Sequence, residues 1–213
     1  MVKAVIFDMD GVISDTQGLH AEVEEELLKK YGVTMSADEI TEKYAGVSDK
    51  EFFERAFKGH RMPPNDITII IAEKWDEMVA LAENNIRPIP GAIELISELK
   101  RQKFKLGVAS ASPVKFIDLV LSKLKLKEEF DVITSGDEVE RGKPDPDIFL
   151  LTAKKLGVRP KECVVIEDGI NGMIAAKRAG MKCVGLVKNE GSYPADLIVN
   201  EFKELTIEKI KNL

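Results

Sequence analysis

No stretch of the 213-residue chain holds an apolar run near the roughly 20 residues that cross a bilayer, so no membrane span is expected. The apolar opening, residues 2–7, is cut off by Asp8 and is too brief for a secretion signal. Cysteine is scarce. Cys163 and Cys183 each open an apolar segment and share no motif, which argues for buried thiols in a reducing cytoplasm rather than a disulfide. A surplus of basic charge is missing too: 31 lysines and arginines face 37 acids, for a net charge of -6. That balance speaks against a nucleic-acid partner, whose footprint is a concentrated basic face. It leaves an anionic substrate open, because one metal ion and one lysine make a locally positive site. Internal repeats and low-complexity tracts are absent as well.

What is present suits a globular enzyme with one large domain, or a core with a small insert. Short apolar runs at 3–7, 105–109, 132–134, 163–166, 182–186 and 197–199 read as buried strands, most of them without the polar alternation of a one-sided sheet. Amphipathic helices alternate with them. One opens at Pro90-Gly91 with Ile93, Ile96 and Leu99 on its inner face; another runs from Pro146 through Phe149, Ala153 and Leu156 to a stop at Gly157. The alternation predicts an α/β fold, a Rossmann-like parallel sheet core with helices on both faces and right-handed crossovers. Residues 15–85 break the rhythm, since they hold only helical patterns, among them the stripe Leu19, Val23, Leu27 and Tyr31. The expected division is therefore a core of 1–14 and 86–213 with a small all-helical domain, 15–85, inserted after the first strand. Turn-rich residues 14–18 and 84–90 would be its hinges.

The first strand ends in Asp8-Met9-Asp10-Gly11. In an extended chain residues i and i+2 point the same way, so the two carboxylates converge at the carboxyl edge of the sheet, where open α/β folds bind ligands. Two adjacent carboxylates repel and call for a proton or a hard cation. Alone, an Asp-x-Asp is more often a polar turn. Here it has company: Ser110 ends the second strand, Lys143 stands in the polar loop before the Pro146 helix, and Glu167-Asp168 ends the fourth strand. One nucleophile, one hydroxyl, one cation and two acidic pairs suit phosphoryl transfer, which depends mostly on positioning and charge neutralisation.

In these four motifs, in this order, the sequence resembles the haloacid dehalogenase superfamily. The run from Gly142 to Phe149 and the segment Ala175-Ala176 to Met181 resemble its phosphatase and β-phosphoglucomutase branch, which carries a helical cap. The resemblance implies that Asp8 attacks phosphorus and that Asp10 serves as general acid and base. It implies that Ser110 bonds a phosphoryl oxygen and that Lys143 balances the charge of nucleophile and phosphoryl group. Mg²⁺ is the implied cofactor, held by Asp8, Asp168 and the backbone carbonyl of Asp10, with Glu167 nearby or acting through water. The cap would carry specificity, with His20, Ser48, Lys74 and, from the core, Ser112 as substrate-binding candidates.

Two departures stand out. Gly169 replaces the small hydroxyl or alanine usual after the Glu-Asp pair, and Gly18 stands near a common hinge proline. The resemblance extends to β-phosphoglucomutases at His20, Gly46-Val47-Ser48 and Lys74, but those mutases have arginine where this chain has Asp49. The expected activity is hydrolysis of a small phosphorylated metabolite, a sugar phosphate foremost, by a monomer. The alternative is a sugar phosphomutase.

Overall fold

The computed structural model of the protein describes residues 1–44, 46–58, 66–189 and 191–213; residues 45 and 59–65 of the expected cap lie outside the described residues. Six strands form one sheet: β1 (Ala4–Phe7), β2 (Lys105–Ser110), β3 (Val132–Ser135), β4 (Cys163–Glu167), β5 (Lys182–Leu186) and β6 (Leu197–Val199). Their order is β3-β2-β1-β4-β5-β6 and every pairing is parallel. β1 is the hinge of this order, with β2 on one side and β4 on the other. The chain turns back at that point, and the carboxyl ends around it flank a ready-made crevice.

The sheet is buried on both faces because the strand residues alternate between two cores. Val5 and Phe7 join one cluster and Ala4 and Ile6 the other. Four helices come between β1 and β2: α1 (Gln17–Lys30), α2 (Ala37–Tyr44), α3 (Asp49–Ala56) and α4 (Ile67–Asn85). They continue the first cluster through Val23, Leu27, Phe52, Phe53, Ile70 and Met78. The same cluster takes in α5 (Ala92–Arg101) and α6 (Val114–Lys123). The opposite face is covered by α7 (Asp147–Leu156) and α8 (Ile170–Arg178), and α9 (Ile207–Lys211) closes the chain on the first face through Ile210.

Two local expectations change. The inner face of α5 is Ala92, Leu95, Ile96 and Leu99, while Ile93 is 36% exposed; it lies a sixth of a turn or more outside the i, i+3, i+4, i+7 stripe that starts at Ala92. The two connections of the helical insertion are also tighter than turn-rich sequence suggested. Ser14 bridges Pro88, Asp15 N–H donates to Arg87 O at 2.9 Å, and Ile89 N–H donates to Ile13 O at 2.9 Å. Gln17 and Gly18 already belong to the first turn of α1.

Candidate active site

β2, β3 and β4 each run one residue further than their apolar cores, so Ser110, Ser135 and Glu167 are their last residues. Asp8 follows β1 directly, its N–H donating to Ile166 O at 3.0 Å, and so reaches the same edge. Into it comes Lys143, 1% exposed, whose Nζ donates to Asp8 Oδ1 at 2.5 Å and to Glu167 Oε2 at 2.8 Å. Burial alone would lower the lysine pKa, but Asp8 and Glu167 override it and raise the value. Lys143 therefore stays charged.

Glu167 has both oxygens engaged: Oε1 accepts the N–H groups of Asp168 at 3.2 Å and Gly169 at 3.1 Å. The Gly169 amide thus supports the loop where a hydroxyl is missing. Asp168 lies hard against Gly11, where a Cβ would come within 2.0 Å of Oδ2; Gly11 has φ +83°, a conformation glycine adopts freely. One oxygen each from Asp8, Glu167 and Asp168 falls within 4.8 Å of the others. Burial, then repulsion from Glu167, raises the Asp8 and Asp168 pKa values well above the ordinary carboxylate value, with Lys143 pulling the other way. Buried Asp8 and Glu167 with half-buried Asp168 beside one lysine leave an excess of negative charge, which a hard divalent cation with oxygen ligands fits.

Asp10 does not join that cluster by its side chain. Oδ1 accepts from Thr16 at 2.5 Å and lies 3.3 Å from His20 Nε2, while Oδ2 accepts from Ser110 at 3.3 Å and Ser112 at 3.0 Å. These bonds occupy both oxygens of the carboxylate, which stands outside that cluster. Burial works to raise the Asp10 pKa, but the His20 charge and the bonds from His20, Thr16 and Ser112 win and lower it to about 2. Ser110 and Ser112, expected at the substrate, here hold Asp10.

The helical side of the site is arranged around Lys74 on α4, 2% exposed. Its Nζ donates to Glu24 of α1 at 2.5 Å and to Asp49 of α3, whose second oxygen accepts Trp75 Nε1–H at 2.6 Å. Trp75 and Phe116 of α6 pack edge-on against the His20 ring, at centroid distances of 5.4 and 5.6 Å. Ser48 serves as the N-cap of α3, accepting from Glu51 N–H, and lies against Gly142 beside Lys143. Asp8, Asp10, His20, Glu24, Asp49, Lys74 and Trp75 line a cavity of 40 Å³ between helices and sheet edge. A larger one of 330 Å³ adjoins it between Ile71 and Trp75 on one side and Pro113, Val139 and Ile148 on the other.

Sequence reasoning passed over Thr16, Glu24, Trp75 and Phe116. Glu24 was within reach of it: on α1 the buried residues are His20, Ala21, Val23, Glu24, Leu27 and Leu28, and the stripe 20, 23, 24, 27 includes a glutamate that only a buried cation explains.

A family model described as haloacid dehalogenase-like hydrolase matches residues 5–186. The beta-phosphoglucomutase of Bacillus subtilis is 33% identical over 218 residues, covering 97% of this chain and 93% of its own length. A phosphorylated carbohydrates phosphatase of Thermotoga maritima is 32% identical over 181 residues, 85% of this chain and 83% of its own. Among solved structures, CbbY from Rhodobacter sphaeroides in complex with phosphate has a TM-score of 0.84 at 33% identity, over 96% of both chains.

Proposed function

The chain belongs to the haloacid dehalogenase-like hydrolases, and from that premise we propose that it is a Mg²⁺-dependent phosphatase of a small phosphorylated metabolite, a sugar phosphate foremost. In this reading an Asp8 oxygen attacks phosphorus, the ester P–O bond breaks, and Asp10 gives the leaving oxygen a proton. Water then adds to the aspartyl phosphate, Asp10 takes the water's proton, and orthophosphate leaves. Held ionised as it is, Asp10 suits the second half; the first half asks it to gain a proton, which loosening of the Thr16 and His20 bonds would favour.

Lys143 keeps Asp8 aimed and offsets the phosphoryl charge, and Ser110 and Ser112 are hydroxyl donors for the phosphoryl oxygens. Asp8, Asp168 and the Asp10 backbone would hold Mg²⁺, with Glu167, whose oxygens are already bonded, behind them. Bound there, Mg²⁺ supplies charge neutralisation and alignment of the phosphoryl group. The segment 15–85 acts as a cap that excludes bulk water while the core 1–14 and 86–213 does the chemistry, all within one chain working as a cytoplasmic monomer.

One observation favours phosphatase over phosphomutase. A mutase must grip a second phosphate, and Lys74, the lysine that lines the cavity on the helical side, already shares its charge between Glu24 and Asp49. An anion at 49 where arginine is expected points the same way. The deciding experiment sets two assays side by side with Mg²⁺: phosphate release from sugar monophosphates, and glucose 6-phosphate formed from β-glucose 1-phosphate with a bisphosphate primer. Hydrolysis should dominate; isomerisation outpacing it would overturn the reading.

A further inference from the structure

The trio of Glu24, Lys74 and Asp49 does more than lack a free cation. The lysine side chain is 2% exposed, whereas those of Glu24 and Asp49 are 10% and 17% exposed. All three line the cavity, with the two carboxylates more exposed than the lysine between them. Burial would lower the Lys74 pKa, but Asp49 and Glu24 raise it, so the lysine is charged and the trio carries one net negative charge. Its geometry is fixed from three helices. Glu24 comes from α1, Asp49 from α3 and Lys74 from α4, and Trp75 Nε1–H clamps the second Asp49 oxygen at 2.6 Å. A lysine shared by two carboxylates cancels most of their repulsion and holds both in place at the cavity they line.

The other charged groups of the cavity do not change its sign. Asp8 and Asp10 belong to the reacting centre, and His20 faces Asp10. The part of the substrate distant from phosphorus thus meets fixed acceptors and a surplus of negative charge. Resting on the phosphatase reading, we infer that Glu24, Asp49 and Lys74 form a charge filter for the leaving group. It accepts neutral or cationic groups rich in hydrogen-bond donors, such as polyols and amino sugars, and rejects any that bear a second anionic group. A hydroxyl or ammonium donates to these oxygens, while a carboxylate or second phosphate leaves them unpaired and adds like-charge repulsion.

The test is a matched series at fixed Mg²⁺: glucosamine 6-phosphate, glucose 6-phosphate, 6-phosphogluconate and glucose 1,6-bisphosphate, read as kcat/KM for phosphate release. The first two should be the best, 6-phosphogluconate lower by about tenfold or more, and the bisphosphate lower still, mostly through KM. Asp49→Asn and, separately, Glu24→Gln should narrow the gap between glucose 6-phosphate and 6-phosphogluconate by about tenfold, because each removes one charge from the trio. A purely structural role would lower all four substrates by one common factor instead. That result, or wild-type values within about threefold across the series, would overturn the filter while leaving the phosphatase intact. If none of the four releases phosphate, the phosphatase reading itself fails. The filter is then judged by calorimetric affinities of the same compounds: the same order upholds it and a flat order overturns it.

Discussion

Lys143 is the residue on which the charge balance of the sheet edge turns. It is the only cation bonded to Asp8 and Glu167 among the described residues. Lys143→Ala should lower kcat by a factor of about 10²–10³, the effect of losing one preorganised partner worth roughly 3–4 kcal/mol in the barrier. It should also lower the melting temperature, since breaking a buried ion pair strands the remaining charge. Circular dichroism and a melt run beside the kinetics separate the two, and normal turnover in a folded variant would remove Lys143 from the chemistry. Gly11 supports a sharper test of the metal assignment. An alanine Cβ there would lie 2.0 Å from Asp168 Oδ2 on a backbone with φ +83°. The strain is of order 1–2 kcal/mol, and Asp168 must give way. Gly11→Ala should therefore weaken Mg²⁺ affinity in a direct binding titration. Unchanged affinity would show that Asp168 is not needed as a ligand.

At the scale of elements, α1 offers a gain in stability. Gly18 sits in its first turn, exposed, with no atom within 4 Å of where a Cβ would stand. Gly18→Ala should stabilise the protein by about 0.5–1 kcal/mol through helix propensity and a less flexible unfolded chain, raising the denaturation midpoint. A lower midpoint would mean that the connection into the helices needs glycine's freedom. The elements themselves were largely legible from sequence. Strands buried on both faces announce themselves as unbroken apolar runs, and α7 carried its stop signal in Gly157, which has φ +66°. Motif residues at strand ends could be read because a parallel sheet gathers its carboxyl ends. The rest was hidden by distance along the chain. Glu24, Asp49 and Lys74 stand 25 and 50 residues apart in sequence, on three helices whose packing no local period encodes. Alternation along the first strand predicts that Asp8 and Asp10 converge; the hydroxyls of Thr16 and Ser112, which bind the Asp10 carboxylate, come from a connection and a loop with no periodic signature.

Across the whole molecule the carboxylate cluster sets how stability responds to pH and metal. Asp8 and Asp168 have raised pKa values, from burial first and Glu167 next. Between the ordinary carboxylate range near 4 and those raised values, the folded protein binds protons that the unfolded chain has released. Stability of the metal-free protein must then fall as pH rises through that window. Asp10, Asp196 and Glu138 are shifted the opposite way, but above about pH 5 they are ionised in both states and add no slope. In a chelator, the melting temperature should therefore decline as the pH rises above the ordinary carboxylate range. Mg²⁺ binds only the folded arrangement and replaces those protons, so it should raise the melting temperature most at the alkaline end. At a concentration of about 100 times its Kd the gain is about 2.7 kcal/mol, roughly 5–10 °C for a chain of this size. Asp168→Asn should reproduce part of that gain in the chelator, because it removes one repelled charge, and should forfeit most of the response to Mg²⁺. A melting temperature indifferent to both pH and Mg²⁺ would mean that Asp8, Glu167 and Asp168 do not share a cation.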